Sequence, residues 1–227
     1  MKLSVIMPVY NEKSTIREIV SRVLAVGLAE EIVIVDDGSA DGTREILEEL
    51  AESPKIRVIE HEQNQGKGAA VVTGIHAARG DVVVIQDADL EYDPQDYHKL
   101  LAPIEAGETK VVYGSRFASA DTERPQLMNW LANLGLTLAT NLLYGAKLTD
   151  METCYKVFRR EVVEGLNIRA RGFEFEPEFT AKILKQNLKV VEVPVSFNPR
   201  GYSEGKKITA WDGVIAVWTL VKYRFVD

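Results

Sequence analysis

The chain has 227 residues, of which 46% are hydrophobic and 27% charged, and its formal net charge at pH 7 is -7. This composition provides enough apolar side chains for a folded core and excludes a chain that is disordered throughout. The acidic balance argues against sequence-independent nucleic-acid binding, which needs a basic face. The single cysteine, Cys154, forms no internal disulfide, which is typical of a protein from a reducing compartment.

Short apolar runs alternate with helical patterns over the first half of the chain. The predicted strands cover residues 3–7, 31–35, 55–60, 81–86 and 110–114. The predicted helices cover residues 14–26, 44–52, 64–78 and 94–106. We expect Pro8 to end the first strand and Ser14 to cap the first helix. Strands that alternate with helices in this way predict a parallel, doubly wound sheet.

The fourth predicted strand leads directly into three acidic residues at alternate positions, Asp87, Asp89 and Glu91. Ligands bind open α/β sheets at the carboxyl ends of the strands. Burying three carboxylates together is costly or shifts their pKa values strongly, whereas a hard divalent cation such as Mg²⁺ or Mn²⁺ takes oxygen ligands. The pattern therefore indicates a metal site. The alternative is a solvated acidic turn before a helix cap at Asp93.

The other strand ends also carry polar residues. They are Tyr10, Asn11 and Glu12 after the first strand, Asp36 and Asp37 after the second, and Gly66, Lys67 and Gly68 after the third. An aromatic ring and carboxylates suit a base and a ribose, and glycines around a lysine at a helix N-terminus suit a diphosphate. The alternatives are an Asx turn for either aspartate and an ordinary loop for the glycine segment. Dehydrogenase and P-loop motifs are absent from the sequence.

Four of these segments together form an ordered set of motifs along the chain. They are PVYNE at 8–12, VDDGSADGT at 35–43, NQGKG at 64–68 and DAD at 87–89. The ordered set resembles the nucleotide-sugar half of family 2 glycosyltransferases, and the resemblance continues through Gly114-Ser115-Arg116 and residues 149–156. Within that family the chain is most similar to the dolichol- and polyprenyl-phosphate glycosyltransferases.

The resemblance implies a GT-A, Rossmann-like α/β fold, with a mostly parallel sheet flanked by helices, in one domain of residues 1–227. Residues 1–115 are expected to bind the nucleotide sugar, 116–207 the acceptor, and 208–227 to form an amphipathic C-terminal helix. The implied activity is metal-dependent, inverting transfer of a hexose from a nucleotide sugar to a polyprenyl or dolichyl phosphate. GDP-mannose is favoured slightly over UDP-glucose, and Mn²⁺ or Mg²⁺ is the implied cofactor.

The resemblance also implies roles for single residues. The expected donor contacts are Pro8, Tyr10, Glu12, Asp37, Lys67 and Asp87. The expected metal ligands are Asp87, Asp89 and Glu91, the last standing where relatives often carry an amide. The implied catalytic residues are Asp89, Arg116 and Asp150.

A lipid-phosphate acceptor needs positive side chains to position it, because its oxygen is already an anion at neutral pH. Arg116 matches such an arginine in the family, and the glycine-containing segment 198–207 supplies Arg200 and Lys206. The alternative for that segment is an ordinary surface loop without a role in binding. If the acceptor is a saccharide hydroxyl instead, Asp150 becomes the candidate general base. A non-catalytic nucleotide-sugar- or lipid-binding module is the third function left open.

Two segments, 127–143 and 211–225, are strongly apolar. Asp212, Lys222 and Arg224 interrupt the second segment. No stretch of the sequence reaches 18 uncharged apolar residues, so no transmembrane helix is expected. Amphipathic helices with tryptophans and terminal basic residues lie in membrane interfaces, and the alternative is packing on the core or in a dimer seam. With no signal peptide recognised, we expect a cytoplasmic protein, peripheral on the membrane. A homo-oligomer is left open.

Overall fold

The computed structural model describes residues 1–118, 127–199 and 210–226. Its strands are β1 (Leu3–Val9), β2 (Ala29–Asp36), β3 (Ile56–Glu60), β4 (Val82–Ile85), β5 (Val111–Ser115), β6 (Lys156–Arg159) and β7 (Val190–Pro194). Its helices are α1 (Ile16–Val26), α2 (Thr43–Leu50), α3 (Lys67–Ala77), α4 (Tyr97–Glu105), α5 (Leu127–Tyr144), α6 (Phe175–Lys185) and α7 (Ala210–Phe225), with 3₁₀ turns at Pro94–Asp96 and Arg160–Val163.

The strands form one sheet in the order β3-β2-β1-β4-β6-β5-β7. The first four are parallel neighbours, and β5 is parallel to β7. β6 runs antiparallel to both β4 and β5, with Val157 opposite Val84 on one side and Val112 on the other. The expected mostly parallel α/β sheet is therefore confirmed. The division of the chain at residues 115 and 207 stays a prediction.

β1 continues through Pro8 to Val9, so the expectation that Pro8 ends this strand is wrong. Ile6 O accepts a hydrogen bond from Gln86 N on the β4 side, and Val9 O accepts one from Asp37 N on the β2 side. Backbone groups of successive strand residues alternate between the two sides, so the ring nitrogen of Pro8 faces the β4 side. Pairing with β4 ends at Ile6, and the missing N–H therefore leaves the ladder intact.

The first helix begins at Ile16, two residues later than the predicted range of 14–26. Thr15, and not Ser14, precedes α1, and its hydroxyl donates to Glu12 Oε2 at 2.9 Å. This bond connects the end of β1 to the start of α1, which places Glu12 at the carboxyl edge of the sheet.

The residues of β1 and β4 are all buried, which is typical of strands covered on both faces of a parallel sheet. A buried polar network follows directly after β4. Gln86 Oε1 accepts hydrogen bonds from Tyr97 Oη at 2.7 Å and Tyr155 Oη at 2.8 Å, and Gln86 Nε2 donates to Asp87 O. The network fixes the backbone from which Asp87 projects.

α5 and α7 pack against one another, and Tyr144 Oη donates to Leu220 O at 2.7 Å. Each helix also carries exposed apolar side chains at helical spacing. We call this set the apolar helix face: Leu131, Leu134, Leu138 and Leu142 on α5, and Trp211, Val214, Val217, Trp218 and Phe225 on α7. Across the described ranges, no helix combines the length and hydropathy needed to cross a membrane.

Candidate functional site

The carboxyl ends of β1, β2 and β4 lie at one edge of the sheet because these strands are parallel neighbours. Pro8 is buried inside β1 opposite Val35, while Tyr10 and Glu12 are half-buried just beyond the strand. The structure thus brings the expected donor residues of the first strand beside those that follow β2 and β4. Their contacts with a nucleotide stay a prediction.

Asp36 and Asp37 have different environments although they are adjacent. The carboxylate of Asp36 is fully buried, accepts hydrogen bonds from Ser39 N and forms an ion pair with Arg44 Nε at 2.8 Å. These contacts close the loop after β2. The Asx-type role that the sequence left open for either aspartate therefore belongs to Asp36.

Asp37 holds the glycine segment that precedes α3. One of its oxygens accepts a hydrogen bond from Gln65 N at 2.9 Å, and the other accepts one from Gly66 N at 2.8 Å. His61 Nδ1 lies 2.7 Å from the first oxygen. The structure thus gives Asp37 a positioning function, and its expected contact with the base and ribose stays a prediction.

Gly66 and Gly68 admit the protein's own backbone. Gly66 has a φ of +100°, and a Cβ there would collide with Arg171 O. A Cβ at Gly68 would lie 2.7 Å from Gly172 O. Ala69 N donates to Arg171 O at 3.0 Å. The segment before α6 therefore makes the close approach that these glycines allow. This contact joins α6 to the carboxyl edge of the sheet that carries the expected donor residues, which we call the donor edge.

We expect Gly66→Ala to lower the free energy of unfolding by about 2–4 kcal/mol, because it adds a left-handed φ penalty to a steric collision. Gly107→Ala is the matched control, since Gly107 has a φ of +73° and open space around it. The control should cost only about 1 kcal/mol in urea unfolding. Equal losses in the two variants would contradict a packing role for Gly66.

Lys67 begins α3 and bridges two carboxylates. Its Nζ lies 2.9 Å from Asp87 Oδ1 and 3.2 Å from Glu176 Oε1. Burial by itself lowers the pKa of Lys67, but the charges of Asp87 and Glu176 outweigh it and raise the pKa well above the usual value. Lys67 therefore stays charged and links the donor edge to α6. Its contact with a diphosphate stays a prediction.

Asp89 is only 7% exposed, and its Oδ1 accepts a hydrogen bond from Glu91 N at 3.0 Å. No three His, Cys, Asp or Glu side chains within the described ranges are gathered into a ready-made metal site. Mg²⁺ is usually held by one or two carboxylates together with substrate phosphates, so Asp87 and Asp89 fit a cation that a bound diphosphate completes. The ligand roles of Asp87, Asp89 and Glu91 stay a prediction.

Arg116 and Asp150 form a buried, bidentate ion pair. Arg116 Nε and Nη2 each lie 2.7 Å from an oxygen of Asp150, and Arg116 N and Asn133 Nδ2 donate to the same carboxylate. These four donors fill the acceptor capacity of Asp150 and argue against it as a general base. The guanidinium also lies 5.6 Å and 5.2 Å from the ring centres of Phe117 and Phe197.

A groove of about 470 Å³ lies beside this ion pair. Its lining includes Arg116, Trp130, Asn133, Leu134, Leu138 and Leu148. Thr137, Asn141 and Thr149 also line the groove, so its walls are partly apolar and partly polar. An arginine in such a groove suits an amphiphilic ligand with an anionic head. The other expected phosphate contacts, Arg200 and Lys206, lie outside the described residues.

Known proteins are similar to this chain in sequence and in fold. The family model described as glycosyl transferase family 2 matches residues 4–166. Dolichol-phosphate mannosyltransferase of Pyrococcus furiosus is 34% identical over an alignment of 235 residues that covers 99% of this chain but only 65% of that protein. Polyprenol monophosphomannose synthase of Mycolicibacterium smegmatis is 34% identical over 209 residues, covering 86% of this chain and 77% of that protein.

Solved structures match the whole chain at lower identity. One is glucosyl-3-phosphoglycerate synthase from Mycobacterium tuberculosis in complex with Mn²⁺, UDP-glucose and phosphoglyceric acid. It has a TM-score of 0.77 and 21% sequence identity, covering 100% of this chain and 80% of that one. At this identity the match establishes the common fold.

Proposed function

The chain belongs to glycosyl transferase family 2, and from that premise we propose that it transfers a hexose from a nucleotide sugar to a polyprenyl or dolichyl phosphate. The observation that carries the choice of acceptor is the groove beside Arg116, whose walls include Trp130 and three leucine side chains. The names of the two relatives described above specify mannose on a dolichol or polyprenol carrier, which supports mannose as the sugar. The family resemblance favours GDP-mannose slightly over UDP-glucose as the donor. The family resemblance implies inversion at the anomeric carbon.

The donor edge would hold the nucleotide diphosphate. A divalent cation held there, Mn²⁺ or Mg²⁺, would supply Lewis-acid stabilisation of the charge on the departing diphosphate. Asp87 and Asp89 would hold this cation, with Glu91 as a third oxygen ligand. Lys67 fixes Asp87 through the ion pair of 2.9 Å, and Asp37 fixes the backbone that leads into Lys67. The chain's own contribution is thus a prearranged set of carboxylates.

On the acceptor side, the phosphate oxygen of the lipid would attack the anomeric carbon without a strong general base. A guanidinium carries five N–H donors, and the pair with Asp150 takes two of those of Arg116. Arg116 would direct its remaining N–H donors at the acceptor phosphate, and Asp150 would fix the orientation of the planar guanidinium. Asp150 is therefore a positioning residue in this mechanism, which disfavours transfer to a saccharide hydroxyl.

The donor assignment is tested by thermal unfolding with GDP or UDP, each with Mn²⁺ or with EDTA. A ligand that binds only the folded chain adds about 2.7 kcal/mol of stability at 100 times its dissociation constant. We expect GDP with Mn²⁺ to raise the melting temperature and EDTA to remove the shift. If neither nucleotide shifts it under any condition, the donor assignment has to be abandoned.

The apolar helix face would place the groove at a membrane surface, where a lipid phosphate is presented. We propose that this face lies in the interfacial region of the bilayer. Leu142, which is 77% exposed, should then contribute to vesicle binding. Leu142→Glu is expected to weaken binding to anionic vesicles by about tenfold or more, because it replaces buried apolar area by a charge.

Leu24→Glu is the matched control for this measurement, since Leu24 is an exposed leucine on α1 and lies outside the apolar helix face. It should bind vesicles like the unaltered chain in a flotation assay. If all three proteins stay unbound, or if both variants lose binding equally, the apolar helix face is not the membrane contact.

A further inference from the structure

Glu176 lies in the first turn of α6, where an acidic side chain complements the helix dipole. The structure gives it a more specific environment. Glu176 is only 6% exposed, and its Oε1 forms an ion pair with Lys67. Oε2 is buried and has no hydrogen-bond partner in the part of the chain that the structure describes. A buried carboxylate oxygen without a donor is unfavourable, so this oxygen is suited to a donor from a ligand.

Glu152 provides a second such oxygen. Its Oε1 is buried and likewise has no hydrogen-bond partner within the described ranges. Burial, and next to it the charge of Glu176, raises the pKa of Glu152 to about 7. The charge of Glu176 therefore acts on Glu152, and the charges of Arg116 and Asp150 act on it as well. Lys156 is fully buried near both, but its Nζ donates to Met151 O and Thr153 O.

The pair connects the two halves of the candidate site. On one side Glu176 reaches Asp87 through Lys67. On the other side Glu152 follows Asp150, the partner of Arg116, by two residues. The transferred sugar in the proposed reaction must lie between the diphosphate and the acceptor phosphate. On the proposed function, the sugar would lie beside these two carboxylates.

We propose that Glu176 Oε2 and Glu152 Oε1 accept hydrogen bonds from hydroxyl groups of the transferred hexose, an inference that rests on the proposed function. Two neighbouring carboxylates repel phosphates, and a polyprenyl chain has no hydrogen-bond donors to offer. A neutral sugar with several hydroxyls meets both requirements. Because a site built to bind a hydroxyl strongly rejects analogues that lack it, Glu176 is a specificity-determining residue for the sugar.

The test uses calorimetry in the presence of Mn²⁺ to compare the affinity for a nucleoside diphosphate with the affinity for the corresponding nucleotide sugar. The first pair of ligands is GDP and GDP-mannose, and the second pair is UDP and UDP-glucose. Glu176→Ala is expected to weaken binding of the nucleotide sugar at least tenfold more than binding of the nucleoside diphosphate. Glu176→Gln keeps the side-chain volume and an oxygen for Lys67, so it provides a folded variant, with a smaller loss confined to the nucleotide sugar.

Glu178→Gln is the matched control. Glu178 is buried on the same helix and ion-paired with Lys182 at 2.6 Å, away from Lys67. It should leave both affinities unchanged. Equal losses for both ligands in the Glu176 variants, or no loss for either, would overturn the inference while leaving the proposed function standing. If the unaltered chain binds neither nucleotide nor nucleotide sugar, the proposed function itself fails, and the inference fails with it.

Discussion

Replacing Asp89 by asparagine is expected to lower the rate of hexose transfer by about 10²–10³ or more. Asp89 is the nearly buried carboxylate at the end of β4, and the proposed mechanism requires its negative charge to hold the cation beside the departing diphosphate. Asparagine keeps an oxygen that can accept the hydrogen bond from Glu91 N, so the fold should persist. The measurement is the rate of transfer together with nucleotide binding in Mn²⁺.

Asp81→Asn is the matched control, because Asp81 directly precedes β4 at the opposite end of the strand and its carboxylate accepts a hydrogen bond from Lys2 N there. It changes the net charge by the same amount and should transfer at the normal rate. The Asp89 variant should also lose the difference in nucleotide affinity between Mn²⁺ and EDTA. A variant that retains both the rate and this difference would show that Asp89 does not bind the metal.

Replacing Arg116 by methionine is expected to lower the free energy of unfolding by about 3–5 kcal/mol and to abolish transfer. The loss of stability follows because Asp150 is left as a buried charge without its ion-pair partner. The loss of transfer follows because the acceptor phosphate loses its positioning cation. Urea unfolding and the transfer rate report the two effects separately.

The double variant Arg116→Met with Asp150→Asn separates structure from chemistry. It removes both charges of the pair, so it should recover part of the stability lost in the single variant, and the two substitutions should be non-additive by about 1 kcal/mol or more. Transfer should stay absent because the cation is still missing. A double variant that recovers both stability and transfer would reduce Arg116 to a structural role.

The donor half of the fold is predictable from sequence because each of its strands is a continuous apolar run that ends in turn residues. β6 and β7 were not predicted, and their composition explains why. β6 is four residues long and has a charged residue at each end, Lys156 and Arg159. β7 is half-exposed at the edge of the sheet and includes Glu192, which accepts hydrogen bonds from the backbone of Thr149 and Asp150.

The candidate site is predictable as a set of positions, since strand ends of a parallel sheet must meet at one edge. Its contacts are not, because they join distant segments. The bond between Lys67 and Glu176 connects α3 to α6. Arg116 and Asp150 were both expected on the acceptor side with separate roles, and only the structure shows that they bind one another. The glycine at position 66 signals a close approach, but the sequence does not identify the approaching backbone.

The most direct measurement is the transfer of a radiolabelled hexose, with polyprenyl phosphate in vesicles and a soluble disaccharide offered in parallel as acceptors. GDP-mannose and UDP-glucose would each be supplied with Mn²⁺ or with EDTA. We expect label from GDP-mannose in the lipid phase only, and its loss on addition of EDTA. Label on the disaccharide, transfer that is indifferent to EDTA, or no transfer from either donor would contradict a metal-dependent lipid-phosphate hexosyltransferase.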